Sequence, residues 1–488
     1  MAGALIGLDP AYLWKHFQSL VDIPRCSGRE AMVRDHLVGV ALEKGWGADV
    51  DDVGNLVVRV PGTPGYEKAP TLVLQGHLDI VCEKNEDVDH DFTTDPIAAF
   101  VDGDVVRARG TTLGADNGIG VAAGLALGDD PTVIHGPLEI LCTIEEETGL
   151  TGAAALDGKL LRGRILLNLD TEEEGAVYVG CAGGGDQIGR FPVQRVAPPA
   201  DGEVVEIRVR GLKGGHSGLD IHLGRGNAIV VLARLLERLI EVGLLLGIDT
   251  FGGGNMHNAI PREARATVRV TPGRKAALDG EIAARLAAEK EALNDADPGL
   301  AIAAHAAEGL ATTHPVAGLE RILHFLQEVP HGVVEMSPDI GGLVQTSNNL
   351  AVLKDEGGKI RVHTSSRSSI SANLERLRDH ICAAMDDAGA SVEREDAYPG
   401  WEPNMDSQLL ARCQRVHAEL FDAEPEIKAI HAGLECGIIG ERIPGMDMAS
   451  IGPNIFFPHS PDEHVEIASV AKFWTFLVGV AESLAKKP

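Results

Sequence analysis

Apolar residues spaced for one face of a helix predict two helices within residues 9–45, separated by a break at 22–28. The apolar run at 55–60 predicts a strand. From Pro70 onward, short apolar runs at 72–75, 138–144 and 165–169 read as further strands, and a small-residue helix opens near Asp116. Apolar strands alternating with helices predict an α/β layer with a largely parallel central sheet flanked by helices. A strand buried on both faces has no reason to alternate with polar residues.

The pattern changes after Gly183-Gly184-Gly185. Runs at 204–209 and 266–270 alternate apolar and charged residues, as strands wet on one face do. With helices expected at 227–242, 275–293, 315–328 and 373–388, this stretch reads as an α+β lobe. Beyond the turn-rich Tyr398-Pro399-Gly400-Trp401, a helix at 407–421, an apolar segment at 447–451 and a helix at 466–485 resume the α/β layer. The expected organisation is one domain in two parts, 1–185 and 401–488, with an inserted domain at 186–400.

A chain of 488 residues exceeds a single hydrophobic core, and 44% hydrophobic with 24% charged residues is the balance of a folded globular protein. The 72 acidic residues against 43 Lys and Arg give a formal charge of -29, which repels nucleic acid and anionic membrane surfaces. Seven scattered cysteines without a CxxC pair fit a reduced, cytoplasmic setting. Asp9 and Lys15 interrupt any apolar leader. The apolar stretch 229–248 carries Arg234, Glu237, Arg238 and Glu241, so it reads as an amphipathic helix rather than a membrane span.

Five positions carry metal chemistry when taken together. Gly76-His77-Leu78-Asp79 follows the first parallel strand, and Asp79, two residues on, is placed to orient His77 through its second ring nitrogen. Asp116 lies in Gly114-Ala115-Asp116-Asn117-Gly118, where an isolated Asp would be a helix N-cap. Glu145-Glu146-Glu147-Thr148-Gly149 ends another strand, at the edge where open α/β sheets bind ligands. Asp170 ends the next strand, and His459 lies in Pro458-His459-Ser460-Pro461. Each alone has an ordinary reading as turn, cap or solvated loop. Jointly, two His and three carboxylates suit two divalent ions with a bridging group.

These motifs, with Gly180-Cys181-Ala182-Gly183-Gly184, Gly214-Gly215-His216-Ser217-Gly218 and His431-Ala432-Gly433-Leu434-Glu435-Cys436, resemble the co-catalytic zinc peptidases that include aminoacylase, carnosinase and carboxypeptidase G. The likeness spans nearly the whole chain. It implies that 1–185 and 401–488 form a catalytic domain and 186–400 a lid and dimerisation domain. It further implies His77 and Asp170 on one ion, Glu147 and His459 on the other, Asp116 bridging, Asp79 orienting His77, and Glu146 as general base, with Glu145 the competing register. His216 would help stabilise the oxyanion, while Asn258 and Arg367 would contact substrate, Arg367 through a terminal carboxylate.

The implied activity is hydrolysis of dipeptides, Xaa-His types among them, by a cytoplasmic homodimer using two zinc ions, with cobalt or manganese as other candidates. A deacylase or desuccinylase of N-acyl amino acids would use the same centre, because specificity resides in the pocket. A non-catalytic metal-binding scaffold is the reading from another class; an intact Glu146 and all five ligand positions argue against it. Gly180–Gly185 lacks the spacing and following helix of a dinucleotide site.

Overall fold

Leu72–His77 and Leu138–Thr143 are buried at every position, as strands in the middle of a sheet covered on both faces must be. In the computed structural model, which describes residues 3–486, they pair in parallel. Ile165–Asn168 adds in parallel on the other side of Leu72–His77, and Asp447–Ser450 adds in parallel to Ile165–Asn168. These four form the centre of an eight-stranded sheet. Leu56–Val60 on one flank and Ala176–Cys181 on the other join antiparallel, so the sheet is parallel at its middle and mixed towards its edges.

Contacts divide the chain into two compact units. The first comprises the chain up to Cys181, Trp401–Ala429 and the segment from Leu434 onward; the second comprises Ala182–Gly400 and Ile430–Gly433. The helices Ala11–Val21, Ala31–Glu43, Ala115–Asp129, Gln408–Phe421 and Ile467–Lys486 belong to the first unit. Among the described residues, Ile467–Lys486 is long and apolar enough to cross a membrane. However, Phe473, Leu477 and Val480 are buried and Phe476 meets the His417 ring edge-on at 5.2 Å, the packing of a core helix.

The second unit is built on a ten-stranded sheet whose strands pair antiparallel. Ile207 and Val209 are buried while Arg208 between them is exposed, and the helices Ala228–Glu241, Glu320–Glu328 and Ser371–Asp387 contribute to the core on the apolar face. The helix expected from 315 starts at Glu320 instead. His314 and Pro315 pair as a short strand with Ile248 and Gly247, and only the later residues are free to turn helical.

Two of the seven cysteines depart from the expectation of a fully reduced set. The bridge between Cys26 and Ile80 sets two segments side by side, and Cys26 and Cys82 form a disulfide with 5.7 Å between Cα atoms. The other five are free.

Candidate metal centre

Two of the four central parallel strands run into a loop carrying candidate ligands, one ends on a candidate ligand itself, and the fourth leads to one. His77 closes its own strand, Glu146 and Glu147 follow Leu138–Thr143, Asp170 follows Ile165–Asn168, and the chain beyond Asp447–Ser450 runs to His459. Parallel pairing puts all these carboxyl ends on the same edge. Gly452 permits that last approach, since a Cβ there would collide with the Thr171 carbonyl oxygen.

Asp116 joins the group. One of its oxygens, Oδ1, lies 3.0 Å from His77 Nε2, and the other, Oδ2, lies 3.1 Å from His459 Nε2. Asp170 Oδ1 is 3.4 Å from the same His77 nitrogen, and Glu147 Oε2 is 3.0 Å from the same His459 nitrogen. Two donor triads result, His77–Asp116–Asp170 and Asp116–Glu147–His459, each with its ligand atoms within 4.8 Å of one another and Asp116 common to both. Glu146 groups with His77 and Glu147, whereas Glu145 does not. The Glu145 backbone N–H instead donates to Glu30 at 3.1 Å.

Asp79 is buried and acts on both sides of the site. His77 Nδ1 bonds to its backbone carbonyl at 3.1 Å and stands 3.5 Å from its carboxylate, so the carbonyl is the nearer orienting group. The carboxylate also accepts from Ser27 at 2.8 Å and from the backbone N–H groups of Glu146 and Glu147 at 3.0 and 3.1 Å. Burial opposes ionisation, but the His77 contact and these donors prevail and hold its carboxyl near pKa 2.

Several groups that shape the site were assigned no role by the sequence. The helix Ala115–Asp129 is not capped by Asp116, as an isolated Asp would predict; Gly114 occupies the cap with φ 73°, and no side chain on the helix caps it. Its amino end is satisfied by Glu463, which accepts the backbone N–H groups of Leu113, Gly114, Ala115 and Asp116 at 2.7, 2.9, 2.7 and 3.3 Å. A carboxylate suits the positive end of a helix, and this arrangement frees both Asp116 oxygens for the two imidazoles. Arg25, fully buried, donates to the carbonyls of Leu78 and Gly114 at 2.8 and 2.5 Å. Below the ligands, Glu435 accepts from Gln75 and Thr143 at 2.5 and 2.7 Å; Gln75 accepts from Asn168, whose own Oδ1 takes the Asp170 N–H at 3.2 Å.

Burial and like charge dominate the electrostatics. Burial raises Asp170 to about 6 despite the opposing His77, with Asp116 and Glu147 adding to the rise. Glu435 is pushed to about 7 and Glu172 to about 9, again chiefly by burial. Burial also drives Glu146 well above the carboxylate range; His77 opposes this, while Asp170, Glu435 and Glu147 reinforce it. Glu147 Oε1 and Asp170 Oδ1 are buried without a hydrogen-bond partner. A set of two imidazoles and three carboxylates with buried oxygens left over fits a pair of divalent cations.

The other three predicted residues lie in the second unit. His216 Nδ1 accepts from the backbone N–H groups of Gly218 and Leu219 at 3.2 and 3.0 Å, which leaves the proton of a neutral ring on Nε2. Burial and the nearby Arg367 lower its pKa, against Asp220. Asn258 lines a cavity of about 610 Å³ together with His216, Lys213 and Arg262, and its carbonyl accepts from Ser217 at 2.8 Å. Arg367 is buried rather than an exposed strand-end residue; one of its nitrogens donates to the Tyr398 hydroxyl at 3.1 Å, while Nε has no partner.

Residues 73–483 match peptidase family M20/M25/M40. The chain belongs to this family, and it is a metal-dependent hydrolase of peptide bonds. It is 41% identical over 484 residues to the cytosol non-specific dipeptidase of Escherichia coli (strain K12), covering 98% of this chain and 99% of the relative. Among solved structures, aminoacylhistidine dipeptidase from Vibrio alginolyticus superposes with a TM-score of 0.92 at 41% identity, covering 98% of each chain. Aminopeptidase PepT from Bacillus cereus shares the fold at 16% identity and a TM-score of 0.56, over 98% of this chain and 99% of its own.

Proposed function

We propose that the protein is a cytoplasmic dipeptidase that cleaves Xaa-His and other dipeptides at a two-ion centre. The observation that carries this reading is the sharing of Asp116 between two donor triads, one oxygen towards His77 and the other towards His459. His77 and Asp170 would hold one ion, Glu147 and His459 the other, with Asp116 between them; zinc suits these donors best, then cobalt or manganese. When bound, the ions supply a water acidic enough to ionise near neutrality and a Lewis-acid pull on the scissile carbonyl.

Glu146 receives the proton of the attacking water and returns it to the leaving amine. Its place beside His77 and Glu147 supports that role. Asp79 fixes the ring of His77 and the backbone of Glu146 together. His216 offers Nε2–H to the carbonyl oxygen as it gains charge, a role supported by the two backbone donors on its other nitrogen. Arg367 takes the substrate carboxylate and Asn258 its backbone, while 186–400 serves as the lid and dimerisation domain. The full-length similarity to two dipeptidases favours dipeptides over N-acyl amino acids, and the cytosol name of the Escherichia coli relative supports the cytoplasmic reading.

The test is a hydrolysis panel of Xaa-His dipeptides, other dipeptides, tripeptides and N-acyl amino acids. It uses metal-free protein reconstituted with zinc, cobalt or manganese, its dimeric state checked by sedimentation. Dipeptides should be cleaved fastest and only with metal. Faster cleavage of N-acyl amino acids would reassign the protein as a deacylase, and no turnover with any metal would leave a scaffold.

A further inference from the structure

A second cluster of metal-ligating side chains lies in the second unit and takes no part in the chemistry above. Along the paired strands Gly183–Pro192 and Lys359–Ser368, Phe191 and Gly189 stand opposite Ile360 and Val362, and this face packs on the helices. Alternation turns Asp186 and His363 to the other face. His257 comes from the loop after Leu245–Gly253. That loop is pinned by Asn349, whose side-chain amide donates to the carbonyls of His257 and Ala259 at 3.2 and 2.8 Å.

The three side chains converge on one point. Asp186 Oδ2 is 2.7 Å from His363 Nε2 and 2.9 Å from His257 Nδ1, and one ligand atom from each residue lies within 4.8 Å of the others. The two imidazoles stack with centroids 6.0 Å apart. Asp186 and His363 are 12% and 10% exposed and His257 53%, so two ligands are anchored while the third borders solvent. Burial opposes ionisation of Asp186, but His257, His363 and Ser365 outweigh it and hold its carboxyl below the ordinary range.

We propose that Asp186, His257 and His363 form an additional divalent-metal site in the second unit, on the sheet face opposite the helices. Two imidazoles and one carboxylate are the donors of zinc-class first-row ions, with water completing the coordination on the open side. The convergence of both rings on one carboxylate oxygen lets a cation replace the ring protons with little movement. One neighbour must yield. Arg361 Nη2 stands 3.3 Å from His363 Nδ1, a contact suited to the ion-free tautomer. An ion on Nε2 places the ring proton on Nδ1 and displaces the guanidinium, so Arg361 opposes binding and the site is weaker than the same donors would be alone.

The experiment is metal analysis of the full chain after equilibrium dialysis against zinc, and separately cobalt, for wild type, His257→Ala, Asp186→Asn and Arg361→Ala. His257 is half-exposed, so its loss leaves the fold intact, as circular dichroism would verify. Wild type should hold one more ion per chain than His257→Ala and Asp186→Asn, and Arg361→Ala should bind that ion more tightly. Equal metal content in wild type and His257→Ala overturns the proposal and leaves a hydrogen-bonded His–Asp–His clamp. Unchanged or weaker binding in Arg361→Ala overturns the displacement. All these chains keep His77, Asp116, Glu147, Asp170 and His459, so the difference is independent of how many ions the catalytic centre holds.

Discussion

Asp79 accepts the backbone N–H of Glu146 at 3.0 Å, tying the strand end that presents His77 to the loop that presents Glu146, the proposed general base. Asp79→Asn removes the charge that favours a metal-binding His77 and weakens the acceptor that holds the Glu146 loop. Metal affinity should fall by about 10-fold at most, since the carboxylate is lost but the backbone carbonyl that is the nearer partner of His77 remains. A zinc titration against a competing chelator measures it; wild-type affinity would refute the orienting role.

Removal of metal should abolish hydrolysis while far-ultraviolet circular dichroism stays close to native. The candidate ligands stand at the carboxyl ends of strands and on the loops beyond them, and the strands' buried interior, including Leu72, Leu74, Leu141 and Leu166, packs without them. Activity should return on adding zinc, cobalt or manganese. Undiminished turnover in rigorously metal-free protein would remove the basis of the mechanism.

The three consecutive glutamates should behave differently. Glu146→Gln keeps its metals and loses about a hundredfold or more in kcat, as a general base commonly contributes. Glu147→Gln weakens the ion shared with His459, and Glu145→Gln stays near wild type because its side chain lies outside both triads. Kinetics paired with metal analysis separates these outcomes. A large loss in Glu145→Gln alone would shift the base by one residue.

His216→Ala should lower kcat by about 100- to 1,000-fold without releasing metal, since it removes a donor to developing charge rather than a ligand. Co-dimerising this variant with Glu146→Gln, with subunit exchange verified independently, then shows which chain supplies the histidine. Regained activity means delivery from the partner subunit, and none means delivery within one chain. An unimpaired His216→Ala would discard the assignment.

Glu463→Gln should cost about 1–3 kcal/mol of stability, because a buried carboxylate that accepts four backbone N–H groups is replaced by an amide with one acceptor oxygen. Metal binding should weaken in step, as the backbone of Asp116 loses its anchor. Chemical denaturation and zinc titration report the two effects. If neither changes, the helix end is held by something other than Glu463.

The sequence by itself determined the strands that deliver the centre and the residues that end them. Mostly apolar runs such as 72–75 and 138–144 are legible because burial on both faces favours apolar residues, even with Gln75 and Glu139 among them, and candidate ligands at their carboxyl ends follow from parallel pairing. His77, Glu147 and Asp170 were nameable as candidates on that ground, Asp116 and His459 only by completing a set of two His and three carboxylates, and the family resemblance added the proposed roles. Other features required the tertiary structure. Glu463 reaches the amino end of a helix nearly 350 residues earlier, Arg25 bridges the carbonyls of Leu78 and Gly114, and Asp186 meets His257 and His363 from segments 71 and 177 residues away. Local periodicity records which face of an element is buried, but a hydrogen bond between distant segments leaves no periodic trace. Only the folded chain brings those partners within reach.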